Sequence, residues 1–298
     1  MEQSSAFFSE YDALAEAVTD GIKTVYTSRD GCTRLGKGTL GGRAVALKSL
    51  KEGCIGNPLY EGLLRKEYEI GREFDHPNIC RTEDFITVPG LGNCIVMQWI
   101  EGETLESLIK KKAAPSPRKV ALQLCDALEH IHSHQTVHRD LKPGNILVTR
   151  NGQDIKLIDF GFSDADDLVL FKGAAGTREY AAPELIAGER VDARCDIYSL
   201  GKIMQKMKAF RKIASRCAAA DRNDRPKDIA QVREAILRKE RSARLAASAA
   251  VAFAVIAAAA GCILWPDIKA AKERREVRAV FERISGEIRE AGFPEAEN

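Results

Sequence analysis

Residues His138 to Asn145 read HRDLKPGN, and Lys156 to Gly161 read KLIDFG. The segments NILV (Asn145–Val148) and IKLID (Ile155–Asp159) are short, apolar and β-branched, and RNGQ (Arg150–Gln153) joins them. Two such runs about a turn containing Gly predict a β-hairpin. The hairpin puts Asn145 ahead of its first strand and Asp159 at the end of its second, so the two come near each other. An amide oxygen and a carboxylate so placed suit a magnesium ion that also holds phosphate oxygens. Asp140 stands on the loop leading in, where a carboxylate can accept a proton from an attacking hydroxyl. Lys142, two residues on, is placed to neutralise a transferred phosphoryl group.

Further motifs flank this core. VALK occupies Val45–Lys48, AAPE occupies Ala181–Glu184 and DIYSLG occupies Asp196–Gly201. With HRDLKPGN and DFG, in this order and spacing, the chain resembles the eukaryotic-type protein kinase family, serine/threonine class, from roughly Ile22 to Ile236. The resemblance implies an α+β, bilobal fold. A small antiparallel β-sheet lobe with one helix is expected over 21–97, a hinge over 98–103 and a larger, mainly helical lobe over 104–240, after an N-terminal extension at 1–20.

The resemblance also assigns roles. Lys48 contacts the α- and β-phosphates of ATP, and its ion-pair partner on the following helix is Glu67; Glu69 points about 200° away around that helix. Met97 takes the gatekeeper place, the backbone of Gln98 and Ile100 bonds adenine, and Ala46 and Leu147 sandwich the ring. Asn145 and Asp159 hold Mg2+, while Asp140 and Lys142 act on the transferred group.

The stretch LGKGTLGG (Leu35–Gly42) looks like the family's glycine loop, but Lys48 lies only seven residues after Gly41. Two strands of about five residues and a turn do not fit in that interval. The stretch is therefore expected inside a hairpin, with CTRLGKGTL as strand two, Gly41-Gly42 as the turn and RAVALKSL as strand three. The phosphate-covering loop then lies near YTSRDGC (Tyr26–Cys32), where Gly31 matches the third family glycine and Tyr26 and Ser28 replace the first two.

Other departures from the family accompany this one. Only 28 residues separate Asp196 from Arg225, too few for the usual extra helix of the large lobe. Arg225, in DRNDRP, is expected to pair with Glu184 structurally. The hydroxyl side chains of the activation segment from Phe162 to Ala181 are Ser163, Thr177 and Tyr180; Thr177 aligns Asp140 and Lys142 by resemblance. Arg139 usually holds an activating phosphate, and Asp164, Asp166 and Asp167 offer a standing negative charge in its stead or form a solvated loop. His130, His132 and His134 alternate as a metal site would, but the family places a helix end there, where histidine suits the dipole. His138 is expected beside Phe160. Gly71, one turn after Glu67, leaves out the large apolar side chain usual in the family's internal spine.

Composition bounds the remainder. The chain has 298 residues, 45% hydrophobic and 30% charged, enough for a substantial core. A net charge of +2, with no basic patch interleaved with aromatics, gives no reason to expect nucleic acid as a partner. Eight scattered cysteines without a C-x-x-C pair point to a reducing compartment rather than a disulfide framework. The N-terminus lacks the basic start and apolar run of a signal peptide. From Leu245 to Trp265 the chain is free of charge and flanked by basic clusters, which predicts a transmembrane helix; a buried Ala-rich helix is the plainer alternative. The tail, 266–298, carries Val277, Phe281, Ile284 and Ile288 at the spacing of an amphipathic helix. Ala250, Ala254 and Ala258 form a stripe that permits weak homodimer pairing of the span; alanines that merely fill an apolar segment are the plainer reading.

The resemblance thus implies a membrane-anchored protein serine/threonine kinase, its catalytic domain cytoplasmic, which moves the γ-phosphoryl of ATP to a protein hydroxyl. Two other readings compete. A pseudokinase scaffold at the membrane fits the poor glycine loop but not the intact Lys48, Asp140, Asn145 and Asp159. A small-molecule phosphotransferase on a related fold is opposed by AAPE and Arg225, which shape a peptide-docking segment.

Overall fold

The computed structural model describes residues 21–28, 32–160 and 178–290. The chain divides into two compact units, one running to Leu237 and one starting at Arg238.

The first unit opens with strands β1 (Lys23–Thr27), β2 (Thr33–Leu40) and β3 (Arg43–Leu50). Helix α1 (Pro58–Gly71) follows, then β4 (Thr82–Val88) and β5 (Gly92–Gln98). These strands form one antiparallel sheet in the order β1-β2-β3-β5-β4. The glycine stretch lies inside the β2–β3 hairpin as expected: Gly36 pairs with Leu47, Gly38 with Val45 and Leu40 with Arg43. Gly41 (φ 55°) and Gly42 (φ 77°) make its turn in the left-handed region that favours glycine. Helix α1 starts at Pro58, where a missing N–H costs nothing, and the side chain of Asn57 accepts from the N–H of Leu59 at 3.0 Å. Its buried residues Leu64, Glu67, Tyr68 and Gly71 recur at the 3.6-residue period, so Glu67 stands on the face turned to the sheet.

A three-stranded sheet of β6 (Gly102–Thr104), β7 (Ile146–Thr149) and β8 (Ile155–Leu157) begins the large lobe. The predicted hairpin is β7–β8, with Ile146 opposite Leu157, and Gly152 and Gln153 take positive φ in its turn. Around it lie α2 (Leu105–Lys110), α3 (Pro117–Ser133), α4 (Pro183–Ile186), α5 (Arg194–Lys206) and α6 (Arg211–Cys217). Helix α3 supplies Val120, Leu124, Leu128 and Ile131 to a core that also takes in Ile146, Leu157, Phe160, Ile197 and Leu200. The shortened stretch after Asp196 closes by contact: α6 packs so tightly on α5 that a Cβ on Gly201 would lie 2.7 Å from Cys217 Cβ.

Helix α7 runs from Ile229 to Glu290 with Pro266 inside it. Its portion in the second unit includes the charge-free run, whose Val251, Phe253, Val255, Ile256, Ile263, Leu264 and Trp265 are all exposed. It is the one helix among the described residues that is long and apolar enough to cross a membrane.

One expectation changes. Cys32 and Cys54 are joined by a disulfide, with Cα atoms 5.8 Å apart, although no cysteine spacing announced a bond. Among the described residues no metal-holding group of histidines, cysteines and acids exists. His132 binds Asp196 at 2.9 Å, while His130 and His134 stack on each other at 4.6 Å.

Candidate active site

Lys48 sits on β3, directly opposite Ile95 of β5, and its Nζ is 2.5 Å from Glu67 Oε1 and 2.9 Å from Asp159 Oδ1. Three elements distant in sequence therefore meet at one ammonium group. Burial alone would lower the Lys48 pKa, but Asp159 and Glu67 outweigh it and hold the group charged. One lysine does not neutralise two carboxylates. Burial, helped by Asp159, pushes Glu67 up to about 7 against the pull of Lys48.

The second group surrounds Asp140, which is buried. Lys142 Nζ lies 2.6 Å from its Oδ2, and Asn145 Nδ2 donates to the same oxygen at 2.8 Å and to the Asp140 carbonyl at 2.9 Å. Burial raises the Asp140 carboxyl above its ordinary value, with Lys142 working against the rise. Oδ1 of Asp140 is buried with no hydrogen-bond partner among the described residues. Because the Asn145 nitrogen is turned to Asp140, its amide oxygen points the other way. The N–H of Ile158 donates to the Asn145 carbonyl at 2.9 Å, which brings Asp159, the next residue, beside Asn145. An amide oxygen and a carboxylate of this kind are hard oxygen donors, which fit magnesium.

Asp196 anchors this loop, a role that DIYSLG did not announce. Buried on α5, it accepts the N–H of His138 and of Arg139, both at 2.9 Å, and a bond from the His132 ring at 2.9 Å. Burial works to raise Asp196, but these bonds, His132 first, outweigh it and hold the carboxyl below its ordinary value. Arg139 (φ 63°) and Asp159 (φ 70°) adopt left-handed backbone on either side of the site, a conformation that surrounding contacts must maintain. Nε and Nη1 of Arg139 are buried and have no partner among the described residues.

The residues expected around adenine lie on or beside β3, β5 and β7. Ala46 is opposite Met97, and Val45 is opposite Gln98. The N–H of Gln98 donates to the Arg81 carbonyl at 2.9 Å, and the Gln98 carbonyl accepts from the Cys80 thiol at 3.6 Å. Ile100 follows β5, and Leu147 lies on β7 opposite Lys156. Lys37, from the glycine stretch, sits 4.5 Å from the Trp99 ring and 3.1 Å from Glu101. Gly31, Ser163 and Thr177, with Asp164, Asp166 and Asp167, lie outside the described residues.

Behind the site, His138 stacks beside Phe160 at 5.3 Å, as expected. Thr82 fills the space left by Gly71: a Cβ there would lie 2.6 Å from Thr82 Oγ1. Phe74 packs on Phe160 with ring centroids 5.0 Å apart. The only sequence signal for Phe74 was an apolar residue just ahead of HPN. Glu184 and Arg225 meet as a buried bidentate pair at 2.6 and 2.8 Å.

The family model described as "Protein kinase domain" matches residues 29–254. A probable serine/threonine-protein kinase of Streptomyces coelicolor is 32% identical over 223 residues, 71% of this chain and 32% of the relative. A probable serine/threonine-protein kinase of Clostridium perfringens is 34% identical over 206 residues, 67% of this chain and 28% of the relative. The chain thus spans about a third or less of the length of these curated relatives. Among solved structures, the kinase domain of Mycobacterium tuberculosis PknI has the same fold, with a TM-score of 0.57 and 23% identity over 76% of this chain and 99% of that one.

Proposed function

The chain belongs to the protein kinase domain family, and from that premise we propose that it is a serine/threonine protein kinase that transfers the γ-phosphoryl of ATP to a protein hydroxyl. The observation that carries the reading is Lys48 Nζ lying 2.5 Å from Glu67 and 2.9 Å from Asp159. A chain that had lost catalysis has no need to keep this buried, charged junction.

In the proposed reaction Lys48, oriented by Glu67, grips the α- and β-phosphates. Ala46 and Leu147 enclose the adenine, Met97 closes the back of its pocket, and the backbone of Gln98 and Ile100 bonds its edge. Asn145 and Asp159 are the residues that would hold magnesium, which supplies positive charge to the phosphate oxygens. Asp140 accepts the proton of the substrate hydroxyl as its oxygen attacks the γ-phosphorus and the bond to ADP breaks. Its raised pKa, caused by burial, makes it a better proton acceptor. Lys142, 2.6 Å from Asp140, offsets charge on the moving group.

The reading includes a membrane anchor at about 245–265, with the catalytic domain at 21–240 on the cytoplasmic side, where ATP and magnesium are supplied, and the tail at 266–298 beyond the span. Support comes from the exposed apolar length of α7. Basic residues are nearly balanced across the run and do not by themselves orient it. Ala250, Ala254 and Ala258 allow two spans to approach closely as a weak homodimer.

Full-length protein incubated with radiolabelled ATP and a generic protein substrate tests the activity. Asp140→Asn and Lys48→Met are each expected to lower transfer by about a hundredfold or more. Full activity in Asp140→Asn would overturn the role given to Asp140. Absence of transfer in the wild type, with ATP still bound, would favour a scaffold.

A further inference from the structure

The cysteines among the described side chains fall into two classes. Cys80, Cys94, Cys125, Cys195 and Cys217 are free and buried, and burial pushes the thiols of Cys80 and Cys217 up to about 12 and that of Cys94 up to about 11. Such thiols hold little thiolate at neutral pH and react slowly. Cys32 and Cys54 are only half-buried and are bonded to each other.

Backbone pairing brings this pair together independently of the sulfurs. The Lys51 N–H donates to the Cys32 carbonyl at 2.7 Å, and the Cys54 N–H donates to the Lys51 carbonyl at 2.9 Å. The resulting Cα separation of 5.8 Å lies within the range a disulfide spans. The thiols therefore stay within reach of each other after reduction, and the bond can re-form. Its position also matters. Cys32 immediately precedes β2, and Cys54 ends the 3-10 turn Glu52–Cys54 ahead of α1. The bond closes over the β2–β3 hairpin, which carries Lys48, and fixes to it the segment leading into α1, which carries Glu67.

We propose that Cys32 and Cys54 are a reversible thiol–disulfide modification site whose exchange partner is a dithiol/disulfide couple, and whose oxidation state sets how firmly Glu67 is held against Lys48. The proposal rests on the kinase reading, which puts the pair in a compartment that supplies ATP and keeps exposed thiols reduced. In reduction, a thiolate of the dithiol attacks one sulfur of the pair, the S–S bond breaks, and the other cysteine leaves as a thiolate that takes up a proton. The second thiol of the reductant then resolves the mixed disulfide and frees the remaining cysteine. The reductant leaves as its own disulfide, having given two electrons to the Cys32–Cys54 bond. With the bond closed, α1 starts from a fixed point and Glu67 is pre-positioned. The oxidised protein is therefore expected to have a KM for ATP lower by about threefold or more than the reduced protein, with kcat changed less.

The test equilibrates the full-length protein in buffers of set reduced-to-oxidised dithiothreitol ratio. Differential alkylation and mass spectrometry read the Cys32–Cys54 bond, and binding of a fluorescent ATP analogue and phosphate transfer are measured on the same samples. The bond is expected to open and close across the series, with ATP affinity following it. Cys32→Ser and Cys54→Ser should each show the weaker affinity at every ratio, while Cys217→Ser should respond like wild type. A bond that never forms or never opens, or an affinity equal in both states or tighter when reduced, overturns the proposal. Because the alkylation and binding readouts do not need phosphate transfer, failure of the kinase reading shows separately, as titration and binding without transfer.

Discussion

Phe74 stacks on Phe160 with ring centroids 5.0 Å apart, and both rings are buried. Phe74 lies just beyond the end of α1, three residues past Gly71, which has no side chain to give. His138 borders Phe160 from the catalytic loop at 5.3 Å. The aromatic contact thus connects the helix of Glu67 to the residue following Asp159. Phe74→Ala is expected to lower stability by about 3–5 kcal/mol through the cavity it leaves. It should also lower kcat, because Phe160 loses the ring that holds Asp159 in register. Phe74→Leu should recover most of both, as read by urea unfolding and steady-state kinetics.

Thr82 and Gly71 form a matched pair. A Cβ at Gly71 would lie 2.6 Å from Thr82 Oγ1 and 3.3 Å from Thr82 Cβ. Gly71→Ala is expected to destabilise the protein by about 1–3 kcal/mol through overpacking, despite alanine's better helix propensity. Adding Thr82→Ala removes the closer contact and should restore most of the loss. Equal unfolding midpoints for Gly71→Ala and the double variant would refute the coupling.

Gly36 and Gly38 belong to β2, so their substitution by alanine should leave the KM for ATP unchanged. Gly36→Ala brings a Cβ to 3.0 Å from the Cγ2 methyl of Ile22. The cost should appear in stability, about 1 kcal/mol, and not in nucleotide affinity. A several-fold rise in KM would restore the stretch as the phosphate loop.

The pH dependence follows from Glu67, raised by burial from 4.5 to about 7. A carboxyl raised on folding binds its proton more tightly in the native state. Its stabilising contribution is full below about 4.5 and is lost as pH rises through about 7. Activity should move in the opposite direction, because the pair with Lys48 needs ionised Glu67. Activity is expected to fall as pH drops through about 7, and Glu67→Gln should abolish this limb while lowering the maximum. A limb that persists unchanged in Glu67→Gln assigns it to another group.

For the anchor, the full-length chain should sediment with membranes and require detergent for release. Protease added to intact cells should clip a tag at Asn298 and spare one at Met1. Recovery in the soluble fraction without detergent would remove the membrane from the proposed function.

The sequence by itself determined the parts whose signal is local. Lys48, Asp140, Lys142, Asn145 and Asp159 are each fixed within short runs of strand or loop, and the spacing from Gly41 to Lys48 was enough to put the glycine stretch in a hairpin. Glu67 was found by its place ahead of HPN in the family pattern, and the 3.6-residue period then turned Glu69 to another side of the helix. The membrane-length helix was likewise visible as a run without charge. Only the tertiary structure decided which distant groups share a space. Asp196 holds the backbone of His138 from 58 residues away, and Thr82 occupies what Gly71 vacates. Phe74 meets Phe160, and Cys32 bonds Cys54 across a hairpin. Asp196, His138 and Phe160 stand in motifs, but no motif or period states these pairings. Each depends on how packed elements fill a volume, and close packing couples residues by position in space, whatever their separation along the chain.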